Sequence, residues 1–97
     1  MDIDGFRATL AADAPPAEFS LALQTLWWDA KGDWDRAHTC AQCDEGPTGS
    51  IVHAYLHRKE GDLSNAQGWY RRAGRSPAEG ALQAEWEALA TELLAAH

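Results

Sequence analysis

Apolar side chains at Phe19, Ala22, Leu23, Leu26, Trp27 and Ala30 recur at three- and four-residue steps, the period of one helix face and not of a strand. That helix is expected to stop near Gly32. A second stripe, Trp34, Ala37, His38 and Ala41, predicts a helix that begins around Asp33. It should end before DEGPTG (44–49), where a proline and two glycines oppose continuation. Ile51, Val52, Tyr55 and Leu56 form the next stripe, on a helix read as Thr48 to Glu60; Gly61 and Asp62 break it, and Leu63, Ala66, Tyr70 and Ala73 follow. SPAE (76–79) has a cap serine, a proline at the first helical position and a glutamate three residues after the serine, the pattern of a helix start. The last helix, carrying Leu82, Trp86, Leu89 and Leu93, is expected to begin there. A short helix before Asp13 fits the pattern but, with Gly5 and few large apolar residues, has little to dock. No segment alternates with the two-residue period of a strand, so the fold class is all-α, one domain spanning 1–97.

The middle of the chain repeats itself. Placing KGDWDRA (31–37) over EGDLSNA (60–66) matches Gly32 with Gly61, Asp33 with Asp62 and Ala37 with Ala66, at a 29-residue offset. The preceding stripe keeps phase, with Ala22, Leu23, Leu26 and Trp27 over Ile51, Val52, Tyr55 and Leu56. A supersecondary unit repeated so that each copy covers its neighbour's apolar face is the logic of a helical solenoid. The expectation is two antiparallel helical hairpins, with a C-terminal helix closing the second.

AYLHRKEGDLSNAQGWYRRAGRSP (54–77) contains a helix, a Gly-Asp turn, Ala66 followed four residues later by Tyr70, then Ala73 and a closing proline. This stretch resembles the second part of a tetratricopeptide repeat, and LWWDAKGDWDRA (26–37) is similar to a less complete copy. The resemblance spans about residues 20–77. It implies antiparallel helix pairs and a role in holding protein or peptide partners.

Composition narrows the partners. A net charge of -7, from 15 acidic and 8 basic residues, repels a phosphate backbone and argues against nucleic-acid binding. No apolar run approaches the length of a membrane span, and the N-terminus is acidic where a secretion signal needs basic residues. A cytoplasmic protein is expected, in which Cys40 and Cys43 are free thiols or metal ligands and not a disulfide.

HTCAQCDEGPTGSIVHAYLH (38–57) holds a C-x2-C and an H-x3-H pair, which raises the question of zinc. If residues 33–43 and 48–60 are antiparallel helices about a turn near Gly46 and Pro47, Cys43 and His57 lie on the order of 10 Å apart along the axes. One zinc ion cannot reach both. His38, however, falls level with the midpoint of His53 and His57, which share a helix face at i and i+4, so three imidazoles can converge on one ion and leave its fourth position open. The competing expectation is a set of core histidines hydrogen-bonded to backbone, to Glu60 or to Tyr55.

A second candidate site is aromatic and basic. Arg58, Arg71 and Arg72, with Trp28 and Trp69, suit an acidic peptide held by bidentate arginine pairing and aromatic contact. There is no G-x-S-x-G elbow, phosphate-cradling glycine loop or H-E-x-x-H pair, and no catalytic residue is assigned. The first functional expectation is therefore a small module that binds a protein or acidic peptide and needs no cofactor. The alternative is a protein that binds zinc or another divalent metal through His38, His53 and His57.

Overall fold

A computed structural model describes residues 1–96. The chain forms six helices: α1 (Ile3–Thr9), α2 (Leu21–Ala30), α3 (Trp34–Cys43), α4 (Pro47–Glu60), α5 (Leu63–Ala73) and α6 (Leu82–Ala96), with no strand among the described residues. Four helices begin at a side chain that accepts a hydrogen bond from an otherwise orphaned N–H: Asp2 from Gly5, Ser20 from Leu23, Asp33 from Arg36 and Asp62 from Asn65. The two Gly-Asp turns are built alike. Gly32 and Gly61 take φ of 83° and 90°, in the left-handed region open to glycine. The Asp33 N–H then donates to the Trp28 carbonyl and the Asp62 N–H to the His57 carbonyl, both at 3.0 Å.

Helix α4 lies at the centre. It packs against α2, α3, α5 and α6, and every residue from Gly49 to His57 is buried. Its small residues Gly49, Ser50 and Ala54 allow this close surround, and at Gly49 the backbone of Asp44 leaves no room for a Cβ. DEGPTG therefore separates two helices, but its second half belongs to the first turn of α4, with Pro47 where a missing N–H costs nothing.

Three expectations are corrected. SPAE does not start a helix: α6 begins at Leu82, and Gly80 at φ 87° interrupts any helix running up to it. The Arg58 guanidinium donates to the Gly80 carbonyl and to Glu85, anchoring this segment in a non-helical path. A local cap, worth about 1 kcal/mol, does not override that anchoring. Helix α6 reaches the second hairpin through α4, packing against α1, α2 and α4 and meeting α5 at the Tyr70 hydroxyl on Glu85, but Leu63, expected in the core, is left 59% exposed. Finally, α1 does dock. Phe6 is fully buried, its ring 5.4 Å from Phe19 and 5.6 Å from Trp86, and Thr9 accepts from the Trp27 indole N–H at 3.1 Å, so an aromatic anchor and a side-chain hydrogen bond hold this seven-residue helix.

Trp86 ties α6 to α2, donating its indole N–H to the Leu26 carbonyl at 3.1 Å. No helix among the described residues is long and apolar enough to cross a membrane.

Candidate metal centre of three histidines

His38 projects from α3, and His53 and His57 from successive turns of α4. Because α3 and α4 pack side by side, the three rings meet: centroids lie 4.6 Å apart for His38 and His53, 4.9 Å for His53 and His57, and 5.3 Å for His38 and His57. One ligand nitrogen from each ring lies within 4.8 Å of the other two, and Nε2 of His38 and Nε2 of His53 are 2.9 Å apart. Nitrogens bound to one tetrahedral ion at about 2.0–2.1 Å stand roughly 3.3 Å from one another, between the 2.9 Å of the His38–His53 pair and the 4.8 Å within which all three lie.

The surroundings fix each ring. His57 Nδ1 is 2.6 Å from Glu60 Oε1; when that nitrogen carries the proton it donates to the carboxylate, and Nε2 is left as the ligand atom. Trp34 stacks on His38 with centroids 4.7 Å apart and is itself pinned by donating to the Leu56 carbonyl at 3.2 Å. Trp69 stacks on His53 at 3.8 Å, and the Arg72 guanidinium lies 4.5 Å from the Trp69 ring. His53 and His57 are 3% and 6% exposed, and His38 is half-buried.

This enclosure weakens proton binding. Burial, then the neighbouring charges of His38, His57 and Arg72, hold His53 down at about 4. Burial and His57 lower His38 as well, while Glu60 and Asp35 act in the opposite direction. Two imidazoles thus keep their lone pairs at neutral pH, the state a metal requires.

The cysteines stand apart. Cys40 is half-buried, Cys43 is exposed, and neither joins a group of converging ligands among the described residues. Burial and the neighbouring Cys43 raise the Cys40 thiol, so it stays protonated at neutral pH and makes a poor nucleophile.

The aromatic and basic candidates disperse. Arg58 turns inward, its side chain 14% exposed, onto the buried Glu85 at 2.9 Å. Trp28 is half-buried on α2, edge-on to Trp27, with the Arg36 guanidinium 4.6 Å from its ring. Arg71 and Arg72 are exposed on α5. Trp69 and Arg72 of this set share a cavity, a space of about 490 Å³ between α3, α4 and α5 that also has Ala41, Gln42, Asp44, Glu45, Ser50 and His53 in its wall.

Sequence reasoning marked Trp34 as core and Trp69 as a peptide contact, but placed neither against the histidines. Trp34 lies four residues before His38 on one helix face, a signal that was available; Trp69 reaches His53 only because α5 packs on α4. The buried Asp29, which accepts from the Tyr55 hydroxyl and from Lys59 Nζ, each at 2.8 Å, was unmarked in the pattern. Comparison of the chain with protein-family models, with curated proteins and with solved structures finds no match in any of the three.

Proposed function

We propose that the protein binds one divalent transition-metal ion, zinc or a metal of similar nitrogen preference, through His38, His53 and His57. The observation that carries this reading is the convergence of three imidazoles from two helices, with His57 held at its other nitrogen by Glu60. That pairing is the carboxylate–histidine arrangement which orients metal ligands and raises their basicity. An all-imidazole set suits zinc, copper or nickel over magnesium or calcium, which take oxygen ligands.

The test is elemental analysis of untagged protein followed by zinc titration of chelator-treated protein. Stoichiometric binding with a rise in melting temperature is expected, abolished in His38→Gln and retained in Cys40→Ser and Cys43→Ser. Affinity should hold through the ordinary imidazole range and decline as pH falls toward about 4, because burial lowers His38 and holds His53 at about 4. Protein that melts identically with and without excess zinc would leave the cluster as a set of packed core histidines.

A second reading, a tetratricopeptide-like module of two helical hairpins that binds a protein or acidic peptide in the cytoplasm, draws support from the matching Gly-Asp turns at a 29-residue offset. Its basic surface reduces to Arg71 and Arg72, since Arg58 pairs with Glu85 and Arg75 with Glu92. Arg72→Glu should weaken capture of an acidic peptide under this reading, and unchanged capture would remove it.

A further inference from the structure

We propose, resting on the metal reading above, that the ion's fourth coordination position is exchangeable and takes a small anion, admitted through the cavity between α3, α4 and α5 in which Arg72 stands. Donor supply comes first. Among the described residues only three side chains converge on the ion's position, and the other grouping of potential ligands, His57 with Glu60 and Asp62, shares His57 with it. Glu60 is engaged at His57 Nδ1, on the opposite edge of the imidazole from the proposed ligand nitrogen. Zinc and its neighbours complete at least four bonds, so one ligand comes from outside the chain.

Charge selects that ligand. Three neutral imidazoles leave the two positive charges of the ion uncompensated at first hand, and His53 and His57 are buried, with half-buried Trp34 and Trp69 stacked on His38 and His53. In such surroundings an anion neutralises charge that a water molecule only solvates.

Access points the same way. His53 is the member of the trio that stands in the wall of the cavity of about 490 Å³, with the Arg72 cation beside it. Two acids also reach this cavity, but Asp44 is turned onto the Gly46 N–H at 3.0 Å and the Thr48 hydroxyl at 2.7 Å, and Glu45 is exposed. The cation on the wall is Arg72, exposed like Glu45 but stacked on the same Trp69 that covers His53. Hydroxide, a small carboxylate or an inorganic monoanion fits this site.

The experiment uses the full chain loaded with cobalt(II), whose visible d–d bands report coordination, titrated with sodium azide. The bands should shift and saturate as azide enters the fourth position. Arg72→Gln should weaken azide binding severalfold while cobalt is retained, whereas Arg36→Gln, an exposed arginine on α3, leaves azide binding as it was. Circular dichroism verifies that both variants are folded. A cobalt-loaded protein whose bands ignore azide would overturn the exchangeable position and leave the metal reading intact. Equal azide affinity in Arg72→Gln would overturn the route past Arg72. Failure to bind cobalt at all would overturn the metal reading and this inference together.

Discussion

In metal-free protein, His53 alone should make stability fall by on the order of 3 kcal/mol as the solution is acidified from pH 7 to below pH 4. Burial, reinforced by His38, His57 and Arg72, holds this imidazole at about 4 in the folded chain, against about 6.5 in the unfolded chain. Each pH unit between those values corresponds to about 1.4 kcal/mol. The sign follows from proton linkage: between about 6.5 and about 4 the unfolded chain binds the proton and the folded chain does not, so acid favours unfolding. This contribution is present in full above about 6.5 and disappears as pH falls through about 4. For a chain of this size it amounts to a decrease in melting temperature of roughly 10–20 °C. Urea unfolding followed by tryptophan fluorescence, in chelator-treated wild type and in His53→Gln, isolates the effect, because the carboxylates titrate in both proteins. The wild-type curve should drop more steeply across this window. Parallel curves for the two proteins would refute the reasoning and show that the His53 site accepts a proton without penalty.

Glu60→Ala should lower zinc affinity by about 10–100-fold through loss of the group that orients His57, and Glu60→Gln by less, since the amide oxygen still accepts from Nδ1; equal affinities by competition titration would remove Glu60 from the site. At Gly49 the usual benefit of alanine in a helix, up to about 1 kcal/mol, should reverse. A Cβ there would stand 1.9 Å from the Asp44 carbonyl oxygen, and overpacking of this kind costs roughly 1–3 kcal/mol. A Gly49→Ala protein as stable as wild type in urea would show that the α3–α4 connection yields freely.

The helices were legible because helix periodicity is a local property. Stripes such as Ala22, Leu23, Leu26, Trp27 and Ile51, Val52, Tyr55, Leu56 lie on single helix faces wherever those helices end up, and all eight side chains are buried. The Gly-Asp turns were legible for the same reason: left-handed φ and an aspartate cap are decided within four residues. The meeting of His38 with His53 and His57 was also within reach, because a short connection between α3 and α4 leaves few ways to align them.

What lay beyond the pattern is what depends on a partner distant in sequence. The residues 76–79 carry a helix start in isolation, yet Arg58, some twenty residues earlier, holds Gly80 and Glu85 and moves the start of α6 to Leu82. Arg58 itself reads as a surface cation until a buried carboxylate is brought opposite it. Leu63 reads as core until α6 settles on α2 and α4. Trp69 becomes a wall of the histidine cluster only when α5 packs on α4. By itself the sequence determined that α2 to α5 are helical and which face of each is apolar, since those follow from neighbours three and four positions away. Which charges are buried, which apolar residues stay exposed and what encloses the histidines were decided by tertiary packing, because each depends on a contact between elements whose arrangement no local spacing encodes.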